Sequence, residues 1–487
     1  MIRLFNTLGA SLQEFRPVNE GEVRFYGCGP TVYDYAHIGN LRAYVFQDTL
    51  TRVFRFLGYQ VTHVMNITDV GHLSDDADTG EDKMVRSAEE RGKSVLEIAD
   101  FYSRAFFYDC ERLNILKPAV VCKATEHIDD MIALIRRIEA NGHTYSSGGN
   151  LYFDISTFPQ YGKLANIRLD ELKAGARIAV DKNKRNPHDF VLWFTNSKFE
   201  NHALVWDSPW GRGYPGWHIE CSAMSMKYLG EHIDIHTGGI DHVRIHHTNE
   251  IAQSEGATGE KWVNYWLHNE FLVMDKGKMS KSAGTFLILD NIIQKGFSPL
   301  DYRFLLLGGH YRSQITFSWE AMETAKNART SLMQRVSKVF LEYPVDPIDE
   351  NRGMTYTQLR DSLEGEKAKD AVNLFCEAIE QDLSTPRALS ILQSVLKDKD
   401  IGKKDCALLL SGFDSVLGLN LVKEAHEINT KHTKHDEVDP TIEALIAQRA
   451  KAKQEKNFAL ADSIRENLKQ EGILLEDGPQ GTTWKRI

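Results

Sequence analysis

Residues 23–27 (VRFYG) read as a short strand, followed by the glycine-containing turn CGPTVYDYAHIGN and then a helical apolar pattern at Phe46, Leu50, Val53, Phe54 and Leu57. Gly58 stops that helix, and residues 61–67 (VTHVMNI) resume as a strand. A strand, loop, helix and strand in this order form a βαβ unit. That unit predicts an α/β fold, a doubly wound parallel sheet with its ligand crevice beyond the strand C-termini. The loop from Cys28 to Asn40 would then lie in the crevice.

A second α/β block runs from about 206 to 265, with the alternating stretch HIDIH at 232–236 and an amphipathic segment from His246 to Ser254. Residues 126–205 read as an insertion between the blocks. Helical patterns dominate from 318 to 425 and predict a bundle. The polar stretches 343–370 and 424–440 read as linkers or exposed excursions. After Pro440 a basic helix (QRAKAKQEKN) leads into a second one with Leu460, Ile464 and Leu468 on one face, ending at Gly472. A chain of 487 residues is too long for one core, so several domains are expected. The six cysteines are scattered without a CxxC pair, which disfavours a disulfide framework and leaves buried thiols or metal ligands. No apolar run approaches the ~18 residues of a membrane span, and the N-terminus lacks a signal-peptide pattern, so a cytoplasmic protein is expected. The formal charge of −10 argues against indiscriminate nucleic-acid binding while leaving room for a local basic face.

Two short motifs carry chemistry. His37-Ile38-Gly39-Asn40 heads a helix, whose N-terminal N–H groups and dipole receive phosphate, and Gly39 lets a nucleotide approach backbone. Alone, it reads as a plain helix start. Lys278-Met279-Ser280-Lys281-Ser282, between Gly277 and Gly284, places two cations on a loop, suited to a polyphosphate whose charge is redistributed during transfer. Alone, it reads as a solvated basic turn.

Together the two motifs resemble those of class I aminoacyl-tRNA synthetases, and within that class the chain resembles the cysteinyl-tRNA synthetase family. The likeness rests on GCGPTVYDYAHIGNLR (27–42), GWHIECSAM (216–224), HHTNEIAQSE (246–255), KMSKS (278–282), DLSTPRAL (382–389) and LEDGPQGTTW (475–484). It implies a Rossmann-like catalytic domain in two halves (1–125 and 206–265) split by a connective insertion (126–205). A connecting domain with the KMSKS segment (266–317), a helical bundle (318–425) and a small anticodon-binding module (440–487) would follow. The implied reaction joins L-cysteine to Mg²⁺-ATP and passes cysteine from the adenylate to tRNA(Cys), with the chain a monomer.

Cys28, Cys221 and a His/Glu pair offer two thiolates, an imidazole and a carboxylate, a set that fits tetrahedral Zn²⁺. Helical spacing allows either His246 (i, i+4) or His247 (i, i+3) beside Glu250, with His242 near. The resemblance selects Cys28, Cys221, His246 and Glu250, one zinc per chain. Zinc would separate cysteine from serine, because a thiolate is a good soft ligand and a neutral hydroxyl a poor one. By the same resemblance Cys28, Gly29, Thr68 and Trp217 form the cysteine pocket. His37, Gly39, Asn40, Gly238, Gly239 and Asp241 bind ATP, together with Lys278, Met279, Ser280, Lys281 and Ser282. His37, Asn40, Lys278 and Lys281 act in the transfer, and Phe458, Asp462, Asp477 and Trp484 read the anticodon.

Several positions depart from the family pattern. Asn40 replaces a histidine, Thr248 a glutamate, Phe458 a tryptophan and Lys453 an arginine, and Asp75, Asp76 and Asp78 lie in an acidic insertion. Two other functions share some of these features. A ligase passing cysteine from the adenylate to a small amine would lack the LEDGPQGTTW block. A non-catalytic zinc and RNA-binding protein would not need His37, Lys278 and Lys281.

Overall fold

A computed structural model describes residues 1–70, 83–166, 182–195, 204–274, 286–346, 348, 353–436, 440–478 and 481–486. The KMSKS segment and the acidic insertion, with Lys278, Met279, Ser280, Lys281 and Ser282 and Asp75, Asp76 and Asp78, lie outside these described residues.

The expected βαβ unit is present as β1 (Glu22–Gly27), α1 (Ile38–Phe56) and β2 (Gln60–Ile67). With β3 (Val120–Lys123), β4 (Ile233–Gly239) and β5 (Val263–Asn269) they build a five-stranded sheet in the order β5-β4-β1-β2-β3, every pair parallel. The order reverses between β1 and β4. The C-terminal ends of these two strands therefore flank the switch-point crevice where open parallel sheets bind ligands. Strand β4 is buried from Ile233 to Gly238, as a central parallel strand covered on both faces should be, so the HIDIH alternation does not mark an exposed face. Helices α2 (Trp217–Leu229) and α3 (His246–Thr258) flank it. Residues 144–147, 150–153 and 190–194 of the expected insertion form an antiparallel sheet that 214–215, within the expected second half, completes.

Helix α1 starts at a capping box: the His37 ring accepts from the Asn40 N–H, and the Asn40 side chain accepts from the His37 N–H. It ends before Gly58, whose φ of +91° favours glycine. The helix is buried almost all round, because one side meets the sheet and the other the helical region. Phe46, Leu50, Val53 and Phe54 share a single core with Leu332, Phe375, Leu392, Leu409 and Phe413.

Two stretches read as linkers are substantially helical. Residues 343–370 contain the helix Tyr356–Ser362 and the start of Glu366–Glu380, with Leu359 and Ala368 in the shared core. Residues 424–436 continue the helix Leu421–Asp436, where Leu421, Val422 and Ala425 are buried, Glu424 pairs with Arg329, and Asn429 donates to the Ser337 carbonyl (2.9 Å). Lys423, Glu427 and Thr430 lie on the exposed side of this amphipathic helix. After it, Ile442, Ile446, Ile464, Leu468, Ile473 and Leu475 form a separate small core.

One buried group on β2 makes stability pH-dependent. The His63 ring stacks on Phe25 with centroids 4.0 Å apart, and its Nε2 has no partner among the described residues. Burial drives its pKa down to about 3. The unfolded chain therefore takes up a proton below about pH 6.5 that the folded chain refuses, and stability falls as pH drops through that window. At about pH 5 this group alone should cost roughly 2 kcal/mol relative to neutral pH. The variant His63→Phe should lose that much less stability between the two conditions, measured by urea unfolding. Equal losses in both proteins would contradict the assignment.

Candidate metal centre and nucleotide crevice

The crevice at the switch point has a volume of about 400 Å³ and lies over the ends of β1 and β4. Its lining includes Cys28, Gly29, His37, Gly39, Asn40, Thr68, Trp217, Cys221, Gly238, Gly239, Asp241 and His246. Glu270, Phe271, Leu272 and Phe286 line it as well, with the Phe286 ring 5.6 Å from that of His37 and Leu272 against Gly39.

At the phosphate-binding end, His37 uses Nδ1 to accept from the Asn40 N–H (3.1 Å), which leaves the proton of a neutral ring on Nε2. The departure at Asn40 thus has a local account: its amide oxygen closes the capping box, accepting from the His37 N–H at 3.2 Å. Gly39 sits under the His37 ring, and a Cβ there would lie 3.0 Å from two ring atoms. Gly29 is tighter, since a Cβ would come within 1.7 Å of the Asn66 carbonyl oxygen. Asn66 also accepts from the Gly29 N–H (2.8 Å) and donates to Thr68, whose hydroxyl donates to Glu220 (3.1 Å). Thr68 therefore lines the crevice and is held there by a buried relay. Gly238 lacks room for a Cβ against the His242 and His247 rings.

Deeper in the crevice, Cys28, Cys221, His246 and Glu250 bring their donor atoms within 4.8 Å of one another. All four are buried. Two further quartets overlap this one through Cys28, namely His242, His246 and His247, or His236, His247 and Glu250. Neighbouring rings orient the donors. The His218 and His246 Nδ1 atoms are 2.8 Å apart, which turns His246 Nε2 toward Glu250, and His236 Nε2 lies 2.6 Å from Glu250 Oε2. Trp217 tilts over the His246 ring at 4.3 Å.

Charge in this nest follows from burial and proximity. Burial alone would raise the Cys28 thiol, but the hydrogen bond from Cys221 and the His247 ring hold it well below its usual value. Cys221 is pushed well above its own by that same bond and by burial. Glu250 would rise on burial, yet His236 and His246 bring it to about 2. Burial would lower His246, but Glu250 and Cys28 lift it to about 10. A cation fits here on structural grounds. Glu250 Oε1 lies 2.6 Å from His246 Nε2, yet among the described residues no hydrogen bond satisfies it, as suits two ligand atoms turned toward a shared ion. Of the participants, His218, His236 and His268, whose Nε2 lies 2.7 Å from His247 Nδ1, were not apparent as site residues from sequence. His218 stands three residues before Cys221 on α2, a helical spacing that could have drawn attention to it.

In the C-terminal module, Phe458 is 60% exposed at the start of the helix Phe458–Gln470, and Asp462 is exposed one turn further on. Asp477 accepts from both terminal nitrogens of Arg449 (2.8 and 2.9 Å), from Lys453 (2.9 Å) and from Thr482 (2.7 Å). These cations hold its carboxyl far below the usual range. The half-buried Trp484 packs on the module's core and donates its indole N–H to Glu443 (3.0 Å).

Residues 14–327 match the family described as the class I (C) tRNA synthetase catalytic domain, and residues 435–484 match the cysteinyl-tRNA ligase anticodon binding domain. Among curated relatives, a cysteine–tRNA ligase of Treponema denticola is 67% identical, and one of Treponema pallidum (strain Nichols) is 48% identical, each over the whole of both chains. The fold is also similar to that of Mycobacterium tuberculosis methionyl-tRNA synthetase in complex with methionyl-adenylate. That similarity has a TM-score of 0.54 at 17% identity and covers 84% of this chain and 93% of the other.

Proposed function

Since this chain belongs to the cysteine–tRNA ligase family of class I aminoacyl-tRNA synthetases, we propose that its crevice activates L-cysteine with Mg²⁺-ATP and delivers it to the 3′ end of tRNA(Cys). The observation that supports this most is the meeting, in one crevice, of a helix N-terminus built for phosphate and a buried set of thiol, imidazole and carboxylate donors.

In the first step a cysteine carboxylate oxygen attacks the α-phosphorus, and the bond to the bridging oxygen breaks, its electron pair leaving with pyrophosphate. The N-terminus of α1 and the Nε2–H of His37 stabilise the phosphate charge, while Gly39 admits the nucleotide close to backbone. Gly238, Gly239 and Asp241 flank the adenosine. Cys28, Cys221, His246 and Glu250 would hold Zn²⁺, with Gly29, Thr68 and Trp217 completing the cysteine pocket. When bound there, zinc supplies a soft Lewis acid that prefers a thiolate to a hydroxyl. In the second step the terminal ribose hydroxyl of tRNA attacks the activated carbonyl and AMP departs. No protein nucleophile is needed.

Lys278 and Lys281 would neutralise the departing pyrophosphate. Lys281→Ala should slow adenylate formation about a hundredfold with little change in the KM for cysteine. A normal rate at saturating ATP would contradict that role. The function itself is tested by cysteine-dependent exchange of pyrophosphate into ATP, followed by transfer. Addition of tRNA(Cys) should convert the adenylate to cysteinyl-tRNA, and a small amine accepting cysteine in its place would favour the small-amine ligase.

A further inference from the structure

Arg42 stands on α1 one turn beyond Gly39 and is only 3% exposed, yet it forms no ion pair with a carboxylate among the described residues. Its guanidinium spends its donors on four carbonyl oxygens: Nη1 on Phe271, and Nη2 on Ser313, His310 (3.3 Å) and Tyr311 (3.2 Å). Burial lowers its pKa to about 10, so it stays charged at neutral pH. A cation stripped of water and shared among carbonyls of two separate segments holds those segments in fixed relation to the helix that carries it. One segment is the crevice lining at 270–272, whose Leu272 lies against Gly39. The other is the loop 310–313.

That loop is gripped from its far side by Asp382, in the turn between the helices Glu366–Glu380 and Thr385–Val395. The Tyr311 hydroxyl donates to its Oδ1 (2.7 Å), Arg312 Nε to its Oδ2 (2.7 Å), and His310 Nε2 to its carbonyl (2.8 Å). Asp382 and Leu383 both adopt left-handed backbone, with φ of +54° and +57°, a conformation that non-glycine residues keep only when their surroundings enforce it. A carboxylate of the helical region and a guanidinium of the nucleotide-binding helix thus hold one loop between them.

We propose that Arg42 is a positioning residue for adenylate formation: it sets how the crevice lining at 270–272 sits against the N-terminus of α1, and Asp382 anchors that setting to the helical region. The proposal rests on the adenylation chemistry above. Since misplacement by about 1 Å can cost roughly a hundredfold in rate, small changes in the clamp should be visible in the chemical step. Arg42→Lys keeps the charge but cannot span four carbonyls. Tyr311→Phe removes one hydroxyl and its bond to Asp382.

The test is single-turnover adenylate formation by the full-length, metal-replete protein, normalised to the number of active sites titrated by the burst. Arg42→Lys should lower the rate per active site by ~10–100-fold, with the KM for cysteine within about twofold of wild type. Tyr311→Phe should lower it several-fold, and the double variant should be little worse than Arg42→Lys alone, because both act on one loop. A residue that serves stability alone would reduce the number of active sites and leave the rate per site untouched. Wild-type rates per site in both single variants would overturn the proposal while leaving the adenylation reading intact. Absence of cysteine-dependent exchange in the wild-type protein would overturn both.

Discussion

Removing residues 440–487 is expected to leave cysteine-dependent pyrophosphate exchange nearly intact and to reduce charging of tRNA(Cys) by about 5–150-fold for each stacked base lost, given ~1–3 kcal/mol for each base stacked on an aromatic ring. The separation follows from where the residues lie. The small core of Ile442, Ile446, Ile464, Leu468, Ile473 and Leu475 is drawn wholly from the module, and every residue lining the crevice precedes 287. Adenylation needs the crevice alone, whereas charging needs a docked tRNA. Phe458 offers a largely exposed ring with Asp462 beside it on the same helix face, an arrangement suited to stacking an unstacked base and accepting from its edge. Asp477 is already bound to the buried Arg449, to Lys453 and to Thr482, which hold its exposed carboxylate in place on the module. Charging by the truncated chain at the full-length rate would remove the module from this role.

Cys221→Ser is expected to abolish stoichiometric metal binding and, with it, most of the preference for cysteine over serine. The substitution keeps the size of a side chain that is 2% exposed, so the fold should survive. What is lost is a soft ligand from a set whose geometry is maintained by His218 and His236. Without the ion, the pocket must separate sulfur from oxygen by shape and polarity alone, which yields no more than about a hundredfold for such near-isosteres. Metal content by mass spectrometry and exchange kinetics with each amino acid would check this. Full metal occupancy with unchanged preference in the variant would dismiss Cys221 as a ligand.

Much of this was legible in the sequence where the signal was local or chemically rare. Strand β1, helix α1 and strand β2 followed from apolar spacing punctuated by Gly58, and that unit located Cys28 and the HIGN segment in the crevice. Resemblance then joined Cys28 to Cys221, His246 and Glu250, which the folded chain does bring together. The continuation of the helix Leu421–Asp436 past residue 425 was read as a linker because exposed Lys423, Glu427 and Thr430 outweigh a narrow buried stripe of Leu421, Val422 and Ala425. The orienting histidines His218, His236 and His268 lie on different elements, and only the fold unites them. Arg42 was invisible as a clamp for a plainer reason: its four partners are carbonyl oxygens, which every residue carries.

The central claim, that a metal held by Cys28, Cys221, His246 and Glu250 selects cysteine for adenylation, is tested most directly by pyrophosphate exchange with cysteine or serine as sole amino acid, before and after metal removal. The account predicts one zinc per chain and a kcat/KM for cysteine more than about 10⁴-fold above that for serine, a margin that a pocket without metal cannot supply. Chelation should collapse that margin, and added zinc should restore it. A metal-free protein that still prefers cysteine by the full margin would contradict the account.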